Sequence, residues 1–191
     1  NGGSLGRLAE TNGLPRLSFP PLAPDFQPRC ATGYFLGLVF GVTDAIGLTA
    51  DAYEGLTDVC NWLTTIKAKV LEQAQRLAKA LTRDRLLLLA YPPYSETVIE
   101  IGRIKLNENS KRPVHVGALP EFNHNQMEAM CAVASQLSVV VLGSPMEFDR
   151  KTARLDTTAK VLRRSGAIVE RMTLEGDTEL ACSLYGLWLL D

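Results

Sequence analysis

Paired cysteines, net charge and long apolar runs are all scarce in this 191-residue chain, and each scarcity removes a class of function. Cys30, Cys60, Cys131 and Cys182 are widely scattered, with neither the close pairing of a zinc site nor the density of a secreted disulfide scaffold. Reduced thiols in a cytoplasmic protein are the expectation. Lys and Arg number 20 against 21 Asp and Glu, and the formal charge of −1 offers no overall attraction to nucleic acid or to an anionic membrane. The longest uncharged apolar run, Cys30 to Thr43, is stopped by Asp44 and falls short of the roughly 20 residues that cross a bilayer, so it reads as a buried helix. No basic segment followed by an apolar core and a cleavage site is present. The first residue is Asn1 rather than Met, which leads us to expect processing or a piece of a longer protein. Repeats and low-complexity tracts are missing too.

What is there is enough apolar sequence for one substantial core, or for one α/β domain and part of another. Ser4 to Thr11 reads as a short helix, and Leu14 to Phe19 as a strand stopped by Pro20-Pro21. Pro28 is placed to open a helix in which Tyr34, Leu38, Val42 and Ala45 recur at helical spacing. Two more helices are expected over Ala50–Asn61 and Thr64–Leu81, the second with Ile66, Val70, Ala74, Leu77 and Leu81 on one face.

From Arg85 the pattern changes to strands alternating with helices, the usual appearance of a parallel α/β sheet. Arg85–Ala90, with four consecutive leucines, reads as a central strand buried on both faces. A turn at Pro92–Ser95, a helix Glu96–Leu106 and a short strand Val114–Gly117 follow. Then come a helix from near Asn123 to about Gln136, a strand Val139–Leu142, a helix Asp149–Ser165, a strand Ala167–Thr173 and a helix Asp177–Leu190.

The chemistry is concentrated between Leu106 and Asn125, where Glu108 and His124 stand sixteen residues apart in weakly charged surroundings. A carboxylate partly withdrawn from water, in a loop beside the carboxyl end of a strand, becomes a better base as its pKa rises. An imidazole changes protonation near neutral pH and both accepts and donates a proton. Taken singly, Glu108 reads equally as a capping or surface residue and His124 as part of a helix cap. The combination is what points to acid–base catalysis.

LNENSK, Leu106–Lys111, followed by LPEFNHN, Leu119–Asn125, resembles the bacterial and archaeal phosphoglucose/phosphomannose isomerases of the sugar-isomerase (SIS) superfamily, whose second lobe carries LNENAK and then LPExNHNE. Asn1-Gly2-Gly3-Ser4-Leu5 resembles the SGGxL turn closing the first lobe, and Gln27-Pro28-Arg29 with Gly33-Tyr34 resembles QPRxxxGY at the entrance to the connecting helix. Gln126 stands where the family often has Glu.

The resemblance implies an α/β fold: a three-layer α/β/α sandwich on a parallel, flavodoxin-like sheet, the second lobe of a double-SIS isomerase. Residues 1–27 would end the first lobe, 28–82 form the connecting helices, and 83–191 form the second lobe, truncated at its C-terminal end. It further implies interconversion of glucose 6-phosphate or mannose 6-phosphate with fructose 6-phosphate through a cis-enediol, in cytoplasmic carbohydrate metabolism, without metal or other cofactor. Glu108 matches the base that moves the C1/C2 proton. His124 matches the ring-opening residue, presented to the neighbouring subunit of a homodimer with a shared active site. Arg29 matches the arginine near the developing enediolate, with Asn107, Asn109 and Asn123 as substrate-binding or supporting residues. The phosphate cradle of relatives belongs to a lobe expected before Asn1, and their catalytic lysine to a helix expected beyond Asp191; no Lys follows Lys160 here. A non-catalytic phosphosugar-binding module or a purely structural half are the competing readings.

Other features read as structural. Arg103 and Lys105 are expected to be a solvent-facing basic pair, Trp62 and Trp188 to pack helices, and Cys131 to be buried in one. Ser144-Pro145 follows a strand, without a Gly-rich phosphate motif.

Overall fold

A computed structural model describes residues 3–18, 23–92 and 94–191, which divide into two compact units, 1–58 and 59–191. Asn1, Gly2 and Pro93 of the expected turns lie outside the described residues.

In the first unit, α1 (Gly3–Thr11) leads through an irregular segment and a 3-10 turn, Pro28–Cys30, into α2 (Thr32–Ala45) and the start of α3 (Ala52–Ala80). The strand expected at Leu14–Phe19 does not form. Residues 14–18 have no regular secondary structure, and Phe19 with Pro20-Pro21 lies outside the described residues. A strand needs a neighbour's amides and carbonyls, and none occurs among the described residues of this unit. The helix expected to be buried is α2, yet none of its residues is buried, and Phe35, Val39 and Val42 are exposed. Being apolar on every side, it would need neighbours on every side to be hidden. Asp44 ends α2 and starts α3, accepting from the backbone amides of Ala52 at 3.2 Å and Tyr53 at 2.7 Å and from the Thr49 hydroxyl at 2.5 Å. These donors, the hydroxyl foremost, hold its carboxyl below the usual carboxylate range.

The second unit alternates strand and helix: β1 (Arg85–Ala90), α4 (Tyr94–Ser110), β2 (Val114–Ala118), α5 (Glu121–Asn125), α6 (Met127–Ala132), β3 (Leu137–Gly143), α7 (Asp149–Arg164), β4 (Ile168–Thr173) and α8 (Glu179–Leu190). All pairings are parallel, in the order β2-β1-β3-β4. Leu86–Ala90 and the whole of β3 are buried, which is why both read as unbroken apolar runs. Because side chains alternate across a strand, Leu86, Leu88, Val140 and Leu142 share one core with Val70, Leu77, Ile99 and Tyr185. Leu87, Leu89, Val139 and Val141 share the other with Phe122, Leu155 and Leu162. The result is the expected α/β/α sandwich with a parallel sheet.

Three helices differ from the periodicity reading. Ala52–Ala80 is one continuous helix rather than two, because Trp62 and Leu63 continue its buried face into the core. α4 runs four residues past its expected end at Leu106. The single helix expected over Asn123–Gln136 is α5, α6 and a 3-10 turn, with the chain redirected at Gln126, where φ is −120°.

Candidate active site

The extension of α4 relocates Glu108. It was expected in a loop beside the carboxyl end of a strand, but it sits in the last turn of a helix, at the end of the sheet where β2 begins. Three local bonds keep that turn helical. The Asn107 Oδ1 accepts from the backbone amide of Val114 at 3.0 Å, tying the turn to the first residue of β2. The Ser110 hydroxyl donates to the Leu106 carbonyl at 2.6 Å, and the Lys111 ammonium to the Glu108 carbonyl at 2.5 Å. Lys111 adopts φ 57°, the left-handed conformation in which helices commonly stop. Glu108 and Asn109 are exposed and Asn107 is half-buried, so within one chain Glu108 is not withdrawn from water as expected.

His124 lies beyond the other end of β2. The ring of Phe122, fully buried, rests on Gly117, where a side chain would occupy the same space. Asn123 exchanges hydrogen bonds with the buried Thr158 hydroxyl of α7, at 2.9 Å and 3.2 Å. Asn125 donates to Glu121 Oε1 at 3.0 Å. α5 is therefore pinned on its sheet side, and His124 is exposed on the other.

Glu108 and His124 are not brought together within the chain. α4 runs back from the carboxyl end of β1 to the amino end of β2, while α5 starts beyond the carboxyl end of β2. β2 has 5 residues, about 16 Å at roughly 3.3 Å each. The two side chains lie beyond opposite ends of this strand. Arg29 belongs to the first unit, half-buried in the Pro28–Cys30 turn, with Nη1 3.5 Å from Gln27 Oε1. Pro28 and Ala31, on either side of it, line an open apolar groove with Leu5, Leu14 and Phe35.

Two polar features escaped the sequence reading. Lys105, expected to face solvent, is only 8% exposed and pairs with Asp191 Oδ1 at 2.7 Å, whereas Arg103 does remain near solvent beside Glu100. Its position on the stripe Val98, Ile99, Gly102 was the available signal. The second feature lies beyond the carboxyl ends of β1 and β3, where the strand order reverses, the usual place for ligands in open α/β sheets. There Ser144 is buried, and both oxygens of Glu147 are shielded from water with no donor in bonding geometry. Burial pushes the Glu147 carboxyl up, partly offset by the Ser144 backbone, Arg171 and Lys151. The Lys151 ammonium lies 5.0 Å from the centre of the Tyr91 ring. The Ser144-Pro145 loop carries no Gly-rich motif, and its place follows from the strand order alone.

Trp62 packs against Tyr185, ring centres 6.4 Å apart, as a packing role requires, and Cys131 is part-buried. No cluster of three or more His, Cys, Asp or Glu able to hold a metal occurs among the described residues, and no described helix is long and apolar enough to cross a membrane.

The comparison with known proteins agrees with this fold. Residues 71–191 match the family model described as the bacterial phospho-glucose isomerase C-terminal SIS domain. A bifunctional phosphoglucose/phosphomannose isomerase of Aquifex aeolicus is 27% identical over 169 residues, 87% of this chain and 50% of that protein. A D-glucosamine-6-phosphate 4-epimerase of Sulfolobus acidocaldarius is 26% identical over 159 residues, 81% of this chain and 48% of that protein. The chain thus spans about half the length of these curated relatives. In fold, it is similar to a glucose-6-phosphate isomerase like protein of Thermus thermophilus, with a TM-score of 0.56 and 14% identity over 99% of this chain and 67% of that one. With more than half of its residues matched, Glu108 and His124 among them, the chain belongs to the family of the bacterial phosphoglucose isomerase C-terminal SIS domain.

Proposed function

We propose that this chain is the second-lobe part of an isomerase that interconverts an aldose 6-phosphate, glucose or mannose 6-phosphate, with fructose 6-phosphate. His124 protonates the ring oxygen while the anomeric hydroxyl gives up its proton, opening the ring. Glu108 then takes the C2 proton of the open aldose, and the electron pair forms the C1–C2 double bond of a cis-enediol as the carbonyl oxygen is protonated. Return of the proton from Glu108 to C1, as the C2 hydroxyl gives up its proton and becomes the carbonyl, gives the ketose. Arg29, a permanent cation with a planar array of donors, supports the charge that develops on the enediol oxygens. Asn107 and Asn123 fix the two reacting turns through their bonds to Val114 and Thr158, and Asn109 is available to substrate hydroxyls. No step requires a metal or a redox cofactor.

The observation that carries this reading is the placement of two exposed acid–base groups beyond opposite ends of one strand, inside the segment matched by the isomerase family. One copy cannot converge them, so the active unit is a homodimer in which Glu108 of one copy works with His124 of its partner. Desolvation of Glu108 comes from that partner.

Complementation tests this directly in the full-length protein. Glu108→Gln and His124→Ala variants are each inactive. Mixed in equal amounts under subunit exchange, half the dimers are hybrids with one intact site of two, so about a quarter of the parental activity returns. Hybrids that form, by native mass spectrometry, without recovering activity refute the shared site. Wild-type activity in either single variant refutes the residue's role.

The similarity to a D-glucosamine-6-phosphate 4-epimerase, at nearly the same identity as the isomerase, favours one second reading: epimerisation of a phosphosugar at C4. Product analysis by 13C NMR separates them, since isomerisation moves the carbonyl to C2 and epimerisation leaves it at C1.

A further inference from the structure

The Lys105–Asp191 pair is the one buried lysine contact in the second unit's described core, and stability alone does not account for it. Lys105 continues the stripe of Val98, Ile99 and Gly102 along the face of α4 that packs on α8. At Gly102 an added side chain would meet the Leu190 side chain at 2.5 Å, so the two helices are in close contact just before Asp191. An apolar residue at position 105 would serve that packing, because replacing a buried ion pair by hydrophobic side chains is commonly neutral or stabilising. What a buried pair adds is orientation. The buried ammonium reaches one carboxylate oxygen, at 2.7 Å, on an Asp191 side chain that is itself partly open to solvent.

Lys105 lies three residues before Glu108, on the same side of the helix and about 4.5 Å along its axis. The last turn of α4 is thus fastened at two points. Lys105 holds it to the end of α8, and Asn107 holds it to the start of β2. The geometry points to Lys105 as a positioning residue, whose pair with Asp191 fixes the turn that presents Glu108 to the substrate. This rests on the reading of Glu108 as the base. Freed of the clamp, the turn can unwind from Lys111 backwards, and small displacements of a reacting group are costly in rate.

The test uses the full-length protein with Lys105→Met, Lys105→Arg and, as a control, Arg103→Met, which breaks only the solvent-side pair with Glu100. Met keeps the volume and leaves Asp191, whose side chain is 44% exposed, able to reach water, so the variant is expected to fold. In Lys105→Met, amide hydrogen exchange at residues 107–110 accelerates about tenfold while β1 stays protected. The kcat falls about tenfold with KM within about twofold. Lys105→Arg restores both, and Arg103→Met changes neither. Unchanged exchange at 107–110, or an equal loss of protection in β1, overturns the clamp. An unchanged kcat in a Lys105→Met protein with a loosened turn overturns its role in positioning the base. Wild-type turnover by Glu108→Gln would sink the catalytic reading instead, leaving the exchange result to decide the clamp by itself.

Discussion

Gly117→Ala should destabilise the protein and disturb His124, although alanine is ordinarily the better residue. In the interior of a strand or helix, Ala exceeds Gly by roughly 0.5–1 kcal/mol because it loses less backbone entropy on folding. At position 117 the new methyl group would fall within the ring of Phe122, with its Cγ at 3.0 Å, and would meet Leu89 Cδ2 at 2.8 Å. Neither neighbour can yield into solvent, since both are fully buried, and Leu89 is the direct partner of Gly117 across the β1–β2 pairing. Overpacking of this kind costs about 1–3 kcal/mol, so mid-range values leave a net loss of about 1 kcal/mol. At roughly 2–4 °C per kcal/mol for a protein of this size, Tm falls by about 2–4 °C. Urea unfolding should show a lower midpoint with an unchanged slope. Phe122 carries Asn123 and His124 with it, so on the proposed function the full-length protein should lose kcat in the same variant, while the exchange of residues 107–110, at the far end of β2, stays as it was. An equal or higher Tm would refute the placement of Phe122 over Gly117, and with it the account of how α5 is held.

Two further outcomes follow from ionisable groups. Burial, then the nearby Glu175 charge, pushes the Tyr185 hydroxyl up to about 12. The unfolded chain releases this proton near pH 10, so the contribution is intact below that pH and is lost as pH rises to about 12. Relative to Tyr185→Phe, the parent should lose ~2 kcal/mol across this window in denaturant titrations; parallel curves would count against the buried hydroxyl. Glu147 is raised by burial, so its protonated form suits the fold: its contribution is full below the unfolded carboxyl pKa, about 4.3, and is lost as pH rises through the higher folded value. Glu147→Gln should therefore raise stability at pH 7, with the gap to the parent closing near pH 4; a lower Tm at pH 7 would refute the unpaired carboxylate.

The parts of the fold legible in the sequence are those set by local pattern. The four leucines of β1 and the valines of β3 announce a sheet covered on both faces, because burial on both sides removes the polar alternation. α7 and α8 begin within two residues of their expected starts, the latter with the Thr178 hydroxyl accepting from the Ala181 amide at 3.1 Å. What failed depended on partners distant in sequence. Residues 14–18 have strand-like side chains but no neighbouring ladder among the described residues. The last turn of α4 holds because Asn107 reaches Val114, and α5 breaks from α6 because Phe122 is drawn onto Gly117. Lys105 looked like a surface cation because its counterion lies 86 positions away, at Asp191.

The site divides along the same line. Residue types and spacing mark Glu108 and His124 as candidates, but a spacing of sixteen residues measures path length along the chain, not separation in space. Between them run the end of α4, the left-handed turn at Lys111 and the whole of β2, an element that carries the chain from one end of the sheet to the other. Insert or remove a residue in that path and the alternation of β2 inverts, turning Gly117 away from Phe122 and α5 away from Thr158. A strict spacing is therefore required even though the two side chains never meet in one copy. It is the fold of the strand between them, rather than any contact, that holds the motif together, and in the proposed function a second copy facing the first completes the active site.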